Sequence, residues 1–318
     1  MALFYDISKY SPSIDGKDEI ITIPTDSKEV NNILCGGIST SEFILIQAPS
    51  GAGKTTVLER LALRACFSKE YDGEVAFISL GEQQAKIIME QILCMNASID
   101  YRHEYKRAST ERREELYEGM KKYQKCFENK LKIYYTRQPF DKYYYNRITN
   151  EKRNSIDDVP FEFKSDYYQI NDFELIMNDI VKRDIKFVFI DYVGAENADP
   201  LITSRYESLK TLCDTLAYTA EKNNICIVGG IQTNKNFLAY YSSKEFDPRC
   251  VNELYTADSV NTMRKATIGI SFIRCDRDEC SYVNIFKGRY VDTGCVKIKV
   301  QPRTFRWLDE SDEMGFKY

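Results

Sequence analysis

The sequence predicts an α/β fold with a mainly parallel central sheet, flanking helices and antiparallel strands at the C-terminal edge of the sheet. Two observations support this prediction. Short apolar runs alternate with helical patterns over the first three quarters of the 318-residue chain, as βαβ units require. The last quarter has several strand-like runs in succession, without helices between them. A chain of this length suits one large domain rather than two small ones.

The elements follow from the spacing of their apolar residues. Short continuous apolar runs predict buried strands, and apolar residues three or four positions apart predict helices. The predicted strands are residues 43–46, 75–80, 131–135, 185–191, 225–230, 267–274, 282–287, 296–300 and 305–307, after a short β-like run at 20–23. The predicted helices are residues 57–65, 87–95, 104–127, 173–183 and 204–223.

Changes in composition divide the chain into three parts. Residues 1–20 are polar and weakly patterned and are predicted to be an N-terminal arm or linker, residues 21–310 form the domain, and residues 311–318 are a C-terminal tail. Within the domain, residues 139–171 show no clear period and are long for a connection, so we interpret them as an insertion. The stretch 101–153 is basic, with 15 Lys and Arg against 8 Asp and Glu.

Composition argues against several classes of protein. The net charge of −4 argues against a polybasic binder, although a local basic loop still attracts phosphate. The ten cysteines form no C-x-x-C pair and His103 is the only histidine, which argues against a zinc site and fits a reducing cytosol. No segment has the roughly 18 consecutive apolar residues that span a membrane. We therefore expect a cytoplasmic protein without membrane contact.

Residues 48–55 have the pattern of a phosphate-binding loop, with Ala48 in place of the first glycine. The loop lies between a predicted strand and a predicted helix, so backbone N–H groups and a helix N-terminus would bind an anion there. In this pattern Lys54 reaches the β- and γ-phosphates, and the hydroxyl of Thr55 holds Mg²⁺. The alternative is a chance Gly/Ser/Thr turn. The predicted nucleotide-binding residues are Ser50, Gly51, Ala52, Gly53, Lys54, Thr55 and Thr56.

Three further polar residues end predicted strands. Asp191 closes the apolar run 185–191, and open α/β sheets bind ligands at the carboxyl ends of their strands. A carboxylate there would hold the metal together with Thr55, the alternative being an ordinary strand-end Asp. Glu82 follows the strand 75–80 and is a candidate to orient the attacking water, or an acidic residue attracted to a helix N-terminus. Gln232 follows the strand 225–230 and is a candidate γ-phosphate sensor, or a plain turn residue.

Together these segments resemble the hexameric replicative helicase motors of the DnaB type, within the RecA-like P-loop ATPases. The resemblance covers roughly residues 20–308. It is carried by the phosphate loop, by two strand ends, by a Gln-bearing segment and by a late Lys-x-Arg segment. In this sequence they read Ala48-Pro49-Ser50-Gly51-Ala52-Gly53-Lys54-Thr55-Thr56, Phe77-Ile78-Ser79-Leu80-Gly81-Glu82, Val188-Phe189-Ile190-Asp191-Tyr192, Gly230-Ile231-Gln232-Thr233-Asn234-Lys235 and Phe286-Lys287-Gly288-Arg289-Tyr290.

The resemblance implies a site shared between two subunits. ATP and Mg²⁺ would bind at the phosphate loop, with Lys54, Glu82, Asp191 and Gln232 as catalytic residues. The family's Lys-x-Arg segment implies that Lys287 and Arg289 reach the ATP of the neighbouring subunit, so the active form would be a homo-oligomer, a hexameric ring. On a strand the two side chains would share one face and lack a local partner. The alternative is a solvated edge strand protected by charge.

The sequence departs from the family pattern at three places. Gly81 stands as an insertion before Glu82, the stretch 263–267 lacks an acidic pair, and the insertion 139–171 is longer than the family's connection. With no separate N-terminal domain and no primase, the resemblance implies a bare motor of the size that phages and other mobile elements encode. If the source is a phage, the bacterial cytoplasm is the expected location.

Single-stranded DNA would contact two segments by resemblance to RecA-like rings, residues 193–203 and 233–258. The second carries Lys235, Lys244 and Arg249, interleaved with aromatic residues at 237, 240, 241 and 246 that suit base stacking. The alternative is a solvated loop with exposed aromatic residues. The tyrosines at 143–145, with Lys142 and Arg147, form a rival surface for DNA or for a partner protein.

The predicted function is that of an ATP-dependent DNA helicase motor, which moves 5′ to 3′ along single-stranded DNA during replication. The polarity rests on the resemblance alone. A primase or a loader protein would be a partner. The main alternative is a DNA-binding ATPase of the same fold that does not unwind DNA, such as a recombination mediator or a helicase loader. A signalling or scaffold ATPase of the clock-protein type is a third candidate.

Overall fold

A computed structural model describes most of the chain. The described residues are 19–81, 83–137, 142–149, 151–155, 157, 159–194, 204–257, 260–275 and 280–311. The predicted arm 1–20 and tail 311–318 therefore lie almost wholly outside the described residues, and the predicted domain boundaries remain a prediction. No helix within the described ranges combines the length and apolar character needed to cross a bilayer.

The strands of the described residues form three sheets. In chain order they are β1 (Thr22–Ile23), β2 (Ile38–Ser39), β3 (Phe43–Ala48), β4 (Val75–Leu80), β5 (Leu131–Thr136), β6 (Lys142–Asn146), β7 (Lys152–Arg153), β8 (Tyr167–Asn171), β9 (Phe187–Asp191), β10 (Cys226–Gln232), β11 (Ile268–Cys275), β12 (Cys280–Gly288), β13 (Gly294–Val300) and β14 (Trp307–Asp309). Strands β1 and β2 form a small antiparallel pair that precedes the main sheet.

One sheet of nine strands organises the described part of the fold, in the order β14-β13-β12-β11-β3-β10-β9-β4-β5. The six strands from β11 to β5 in this order pair in parallel. Strands β12, β13 and β14 add antiparallel pairs at one edge. The predicted RecA-like α/β fold, with its antiparallel C-terminal strands, is confirmed.

Helices cover both faces of this sheet. They are α1 (Lys28–Ile33), α2 (Lys54–Cys66), α3 (Ala85–Asn96), α4 (Thr110–Gln124), α5 (Asp172–Lys182), α6 (Arg205–Lys222), α7 (Lys235–Tyr241) and α8 (Val260–Lys265). Alternation along β3 shows why the fold needs two layers, because Ile44 and Ile46 pack toward α2 while Phe43 and Leu45 pack toward α6.

The parallel strands define a functional edge of the sheet. Strands β3, β4, β9 and β10 all end at the same edge, since Asp191 pairs with Ser79 and Gln232 pairs with Ala48. The antiparallel strand β12 runs the other way, and its Lys287 pairs with a residue near the start of β11. The end of β12 thus lies at the opposite edge, roughly 20 Å away for six residues at about 3.3 Å each.

The insertion is more ordered than its sequence indicates. Its described residues form a separate three-stranded antiparallel sheet, in the order β7-β6-β8. The tyrosines at 143–145 lie on β6, half-buried, and the ammonium of Lys152 lies 3.3 Å from the ring centroid of Tyr143. The sequence did not predict these strands because they are short and consist of polar and aromatic residues, without a clear alternation of apolar and polar positions. Helix α5 follows directly and begins with a capping box between Asn171 and Glu174.

The predicted helix 104–127 is divided. A π-helical turn at Tyr101–Tyr105 precedes α4, and a 3₁₀ turn at Lys125–Phe127 follows it. Helix α4 is mostly exposed, and Met120 is its one buried residue. Its charged sequence therefore reflects a solvated face, and the helix packs on α3 through a small cluster around Cys94 and Tyr105.

Candidate functional site

The predicted phosphate loop connects β3 to α2 at the functional edge. Glycine is required at two of its positions, because Gly51 has φ +79° and Gly53 has φ +97°, in the left-handed region. Helix α2 begins at Lys54, and no side chain caps its N-terminus. The first N–H groups of a helix lack partners within the helix, so this end is suited to bind an anion.

The fold brings three predicted residues together beside the loop. Asp191 is the last residue of β9 and is fully buried. The hydroxyl of Thr55 donates a hydrogen bond of 2.7 Å to Oδ2 of Asp191. The ammonium of Lys54 lies 3.6 Å from Oδ1 of the same carboxylate and 4.1 Å from the ring centroid of Tyr192. The carboxylate thus lies between the cation and the hydroxyl that the motif supplies.

This donor set fits ATP with Mg²⁺. The hydroxyl of Thr55 and the oxygens of Asp191 are hard ligands, of the type that Mg²⁺ prefers. Oδ1 of Asp191 is buried and accepts no hydrogen bond from the described residues, although it faces the Lys54 charge. The described residues contain no cluster of three or more His, Cys, Asp or Glu side chains suited to a metal. A Mg²⁺ ion would therefore share its coordination between protein, phosphate and water.

Gly230 makes room for Lys54. A Cβ atom built at Gly230 on β10 would lie 2.9 Å from Cδ and 3.0 Å from Cγ of Lys54, and 3.0 Å from Cδ1 of Leu58. Contacts this short force a neighbour to move. The sequence offered only a strand with two glycines, so this role of Gly230 was not predicted.

We expect Gly230→Ala to reduce ATP hydrolysis while the protein stays folded, because the added methyl group displaces the stem of Lys54. Displacing a positioned catalytic group by about 1 Å can cost on the order of 10²-fold in rate, so turnover should fall by roughly tenfold or more. Gly119→Ala on α4 is the matched control, since its added Cβ meets no atom within 4 Å. Steady-state hydrolysis and urea unfolding of both variants check this; equal turnover in the two would contradict it.

The sequence did not predict a role for two further residues near the phosphate loop. The ring of Phe305, in the turn between β13 and β14, lies 3.0 Å from a Cβ built at Gly53. Phe305 has φ +53°, unusual for a residue with a side chain. Glu59 is buried on α2 with 1% exposure. Burial raises the pKa of Glu59 well above its usual range, and the charge of Asp191 raises it further. The sequence feature that could have identified Glu59 is an acidic residue among the apolar positions of α2.

Gln232 lies next to the phosphate loop, and its sensor role stays a prediction. It ends β10 directly beside Ala48, the residue that leads into the phosphate loop. Its carbonyl accepts a hydrogen bond of 2.8 Å from the N–H of Ala257, and the N–H of Thr233 donates to the carbonyl of Ala48 at 3.2 Å. The segment behind Gln232 is thus joined to the loop through the backbone. Glu82, the predicted water-orienting residue, lies outside the described residues, and its role stays a prediction.

The predicted pair Lys287 and Arg289 lies at the edge opposite the phosphate loop. The expectation that both lack a local partner is wrong for Lys287. Its ammonium donates to the carbonyls of Met263, Arg264 and Ala266 at 2.9, 2.7 and 2.6 Å, which caps the C-terminus of α8. Partial burial and the nearby charge of Arg289 lower the pKa of Lys287. Strand β12 ends before Arg289, which has an exposed side chain.

The predicted DNA-binding segment folds on itself. Residues 233–257 contain α7 and two 3₁₀ turns, at Pro248–Cys250 and Glu253–Tyr255. Phe237 is fully buried, and its ring contacts other aromatic rings at centroid distances of 5.8 to 6.4 Å, namely those of Tyr241, Phe246 and Tyr255. The expectation that these aromatic residues form a loop free to stack on bases is therefore wrong for Phe237, because they pack into a small core of their own.

The three predicted cations of that segment differ in their surroundings. The guanidinium of Arg249 forms a bidentate pair with Asp247, at 2.7 to 3.0 Å. Lys235 and Lys244 are exposed and form no ion pair with any described residue. Of the other predicted segment, residues 195–203 lie outside the described residues. Lys235 and Lys244 are therefore the cations of this segment best placed to meet a phosphate backbone.

Comparison with known proteins found one family match and several solved structures of similar fold. Residues 22–140 match the family described as the DnaB-like helicase C-terminal domain. The solved ATPase domain of a phage protein is similar in fold, with a TM-score of 0.62 and 14% identity over 93% of both chains. A structure of a DnaB-like replicative helicase and its interactions with primase has a TM-score of 0.64 and 16% identity, and the chain spans 64% of it. No curated protein matches significantly.

The family match covers both the phosphate loop and the strand that precedes Glu82. The structural matches, at low identity, show the fold. The resemblance seen in the motifs is therefore confirmed for residues 22–140, and the fold of the chain is similar to that of solved ATPase domains.

Proposed function

We propose that this chain, with its DnaB-like ATPase domain, hydrolyses ATP to move along single-stranded DNA and to unwind duplex DNA during replication. The observation that carries the proposal is the junction of Lys54, Thr55 and Asp191 at the uncapped start of α2. Phosphoryl transfer from a nucleotide needs a positive charge, a hydroxyl and a carboxylate beside an anion-binding helix end, and this site provides all of them.

Each of these residues has a defined task. The N–H groups of the loop 50–56 bind the phosphate oxygens, and Lys54 neutralises charge that develops on the β- and γ-phosphates. Thr55 and Asp191 would hold Mg²⁺, which would supply positive charge that offsets the negative charge of the phosphates. Gln232, beside the start of the loop, would report the γ-phosphate to the segment 233–257. Glu82 would orient the attacking water.

A shared site explains the position of Arg289. The guanidinium of Arg289 is exposed and lies about 20 Å from the phosphate loop of its own chain, too far to contact a nucleotide bound there. In a head-to-tail ring, one edge of each subunit meets the opposite edge of the next. Arg289 would then reach the neighbour's γ-phosphate, and Lys287, bound to the carbonyls of α8, would position the loop that carries it. We propose a hexameric ring as the active assembly.

The exposed lysines of the segment 233–257 would hold the DNA strand. Lys235 and Lys244 follow the sensor Gln232, so a change at the γ-phosphate is transmitted over a short path to the strand. Arg249 would add less, because Asp247 already neutralises it.

Replacing Lys235 and Lys244 by alanine should weaken binding of single-stranded DNA while basal ATPase activity survives. Each lost phosphate contact flattens the plot of log affinity against log salt by about 0.7, so the slope should change by roughly 1.4. Arg249→Ala alone should change it less. Fluorescence anisotropy with a labelled oligonucleotide over a salt series checks this. An unaltered slope in the double variant would move the site to the basic residues 101–153.

Partners and location follow from the same proposal. A primase or a helicase loader would contact this motor, in line with the related structure described with its primase interactions. The cytoplasm is the proposed location.

The second candidate is a DNA-binding ATPase of this fold that does not unwind, such as a recombination mediator or a loader. The nucleotide site of Lys54, Thr55 and Asp191 supports this candidate as well, since ATP hydrolysis on this fold does not by itself require strand separation. Hydrolysis measured with and without single-stranded DNA tests both against a scaffold ATPase. We expect DNA to stimulate hydrolysis; a rate indifferent to DNA would contradict both DNA-dependent functions.

A further inference from the structure

Helix α2 buries a carboxyl group beside apolar side chains. Glu59 is 1% exposed and follows Leu58, with Ala62 one turn later in the same buried layer. A polar group is costly to bury unless it forms a hydrogen bond. An apolar side chain of similar size would pack there without that cost. Stability therefore does not explain why a glutamate occupies this position, and we looked for a functional role.

Its neighbourhood is the metal end of the phosphate site. Glu59 lies four residues after Thr55, so both side chains lie on the same face of α2, one turn apart. Thr55 is bound to Asp191, and the charge of Asp191 raises the pKa of Glu59 beyond the effect of burial. The carboxyl group of Glu59 therefore lies one helical turn from the Thr55–Asp191 pair.

Two buried oxygen atoms at this place lack hydrogen bonds. Among the described residues, none donates to Oε1 of Glu59 or to Oδ1 of Asp191. Buried polar atoms in proteins nearly always have a partner, either another protein group or a buried water. One short chain of hydrogen bonds between the two carboxyl groups would satisfy both atoms.

We propose that Glu59 is a positioning residue of the phosphate site, which orients the Asp191 carboxylate toward Thr55 through a hydrogen bond, direct or through one buried water. The proposal rests on the proposed function, because it assigns Mg²⁺ to Thr55 and Asp191. Residues that orient a metal ligand in this way change metal affinity or activity by about 10- to 100-fold when replaced.

Glu59→Met should weaken Mg²⁺ binding without lowering the stability of the protein. Methionine has a similar volume and no polar group, so the urea midpoint of the nucleotide-free protein should stay equal or rise. The Mg²⁺ concentration that half-saturates binding of a fluorescent ATP analogue should rise about tenfold or more. Glu59→Gln keeps a donor in the same place and should bind Mg²⁺ nearly as the parent protein does.

The matched control is Glu42→Met. Glu42 is also buried, at 7% exposure, and burial raises its pKa to about 7, but it precedes β3 at the opposite edge of the sheet. Its replacement should leave the Mg²⁺ titration unchanged.

A lower urea midpoint for Glu59→Met, or failure to fold, would overturn the proposal, because a structural partner would then explain the carboxyl group. An unchanged Mg²⁺ titration in Glu59→Met, or equal loss in Glu59→Gln, would overturn it too. The parent protein shows whether a negative result contradicts the role of Glu59 or the proposed function as a whole. If it binds the analogue without any response to Mg²⁺, the proposed function itself fails.

Discussion

Lys54→Ala should abolish ATP hydrolysis by the purified protein. The ammonium of Lys54 lies 3.6 Å from Asp191 at the phosphate loop, and its side chain is only 9% exposed. Removing one preorganised donor to a developing negative charge costs about 10²- to 10³-fold in turnover, and here a full charge is lost. The folded state should persist, because the truncated side chain ends at the nucleotide site.

Phosphate release in steady state measures this effect, and circular dichroism controls for folding. Asp191→Asn is the companion variant: it should lose the Mg²⁺-dependent rate while a labelled nucleotide still binds. Near-normal turnover of Lys54→Ala would mean that the nucleotide binds elsewhere. An unchanged Mg²⁺ titration of Asp191→Asn would remove that residue from the metal site.

Arg289→Ala should also be inactive alone, although Arg289 is far from the phosphate loop of its own chain. If it stabilises charge on the neighbour's γ-phosphate, its loss should cost about 10³-fold or more. Mixing Arg289→Ala with Lys54→Ala should restore partial activity, because some mixed rings place an intact Lys54 site against an intact Arg289. Since Arg289 is exposed, its replacement should leave the fold intact, which circular dichroism of the variant checks.

The mixing experiment needs proof that the subunits co-assemble, for example by native mass spectrometry of differently tagged variants. A mixture that stays inactive although the subunits share rings would contradict the shared site. Normal hydrolysis by Arg289→Ala alone would do the same. Arg264→Ala is a suitable control, since Arg264 is another exposed arginine near the same edge, whose carbonyl and not its side chain holds Lys287.

The sequence predicted the sheet well because its strands are buried on both faces. The strand that ends at Asp191 is apolar at every earlier position, which only a central strand explains. Motif spacing placed Lys54 and Thr55 on a helix start. The carboxyl-end rule for parallel strands placed Asp191 near them, and the hydrogen bond to Thr55 agrees with that placement.

Other features depend on contacts that sequence patterns do not encode. The residues around Phe237 alternate cations with aromatic rings, which is typical of strand binding, yet the rings pack on one another. Lys287 donates hydrogen bonds to carbonyls on and just after α8. The pairing of β11 with β12 brings Lys287 next to that helix. The insertion hides its strands because they are polar and aromatic, without a continuous apolar run.

A strand-displacement assay distinguishes a helicase from an ATPase that only binds DNA. The substrate is a duplex with a fluorescent strand and a 5′ single-stranded tail, offered with ATP and Mg²⁺, beside a matched duplex with a 3′ tail. We expect release of the labelled strand from the 5′-tailed duplex only, with no release by Lys54→Ala or with a non-hydrolysable ATP analogue. DNA-stimulated hydrolysis without any strand release, by a protein shown to form rings, would contradict it and leave a DNA-binding ATPase that does not unwind.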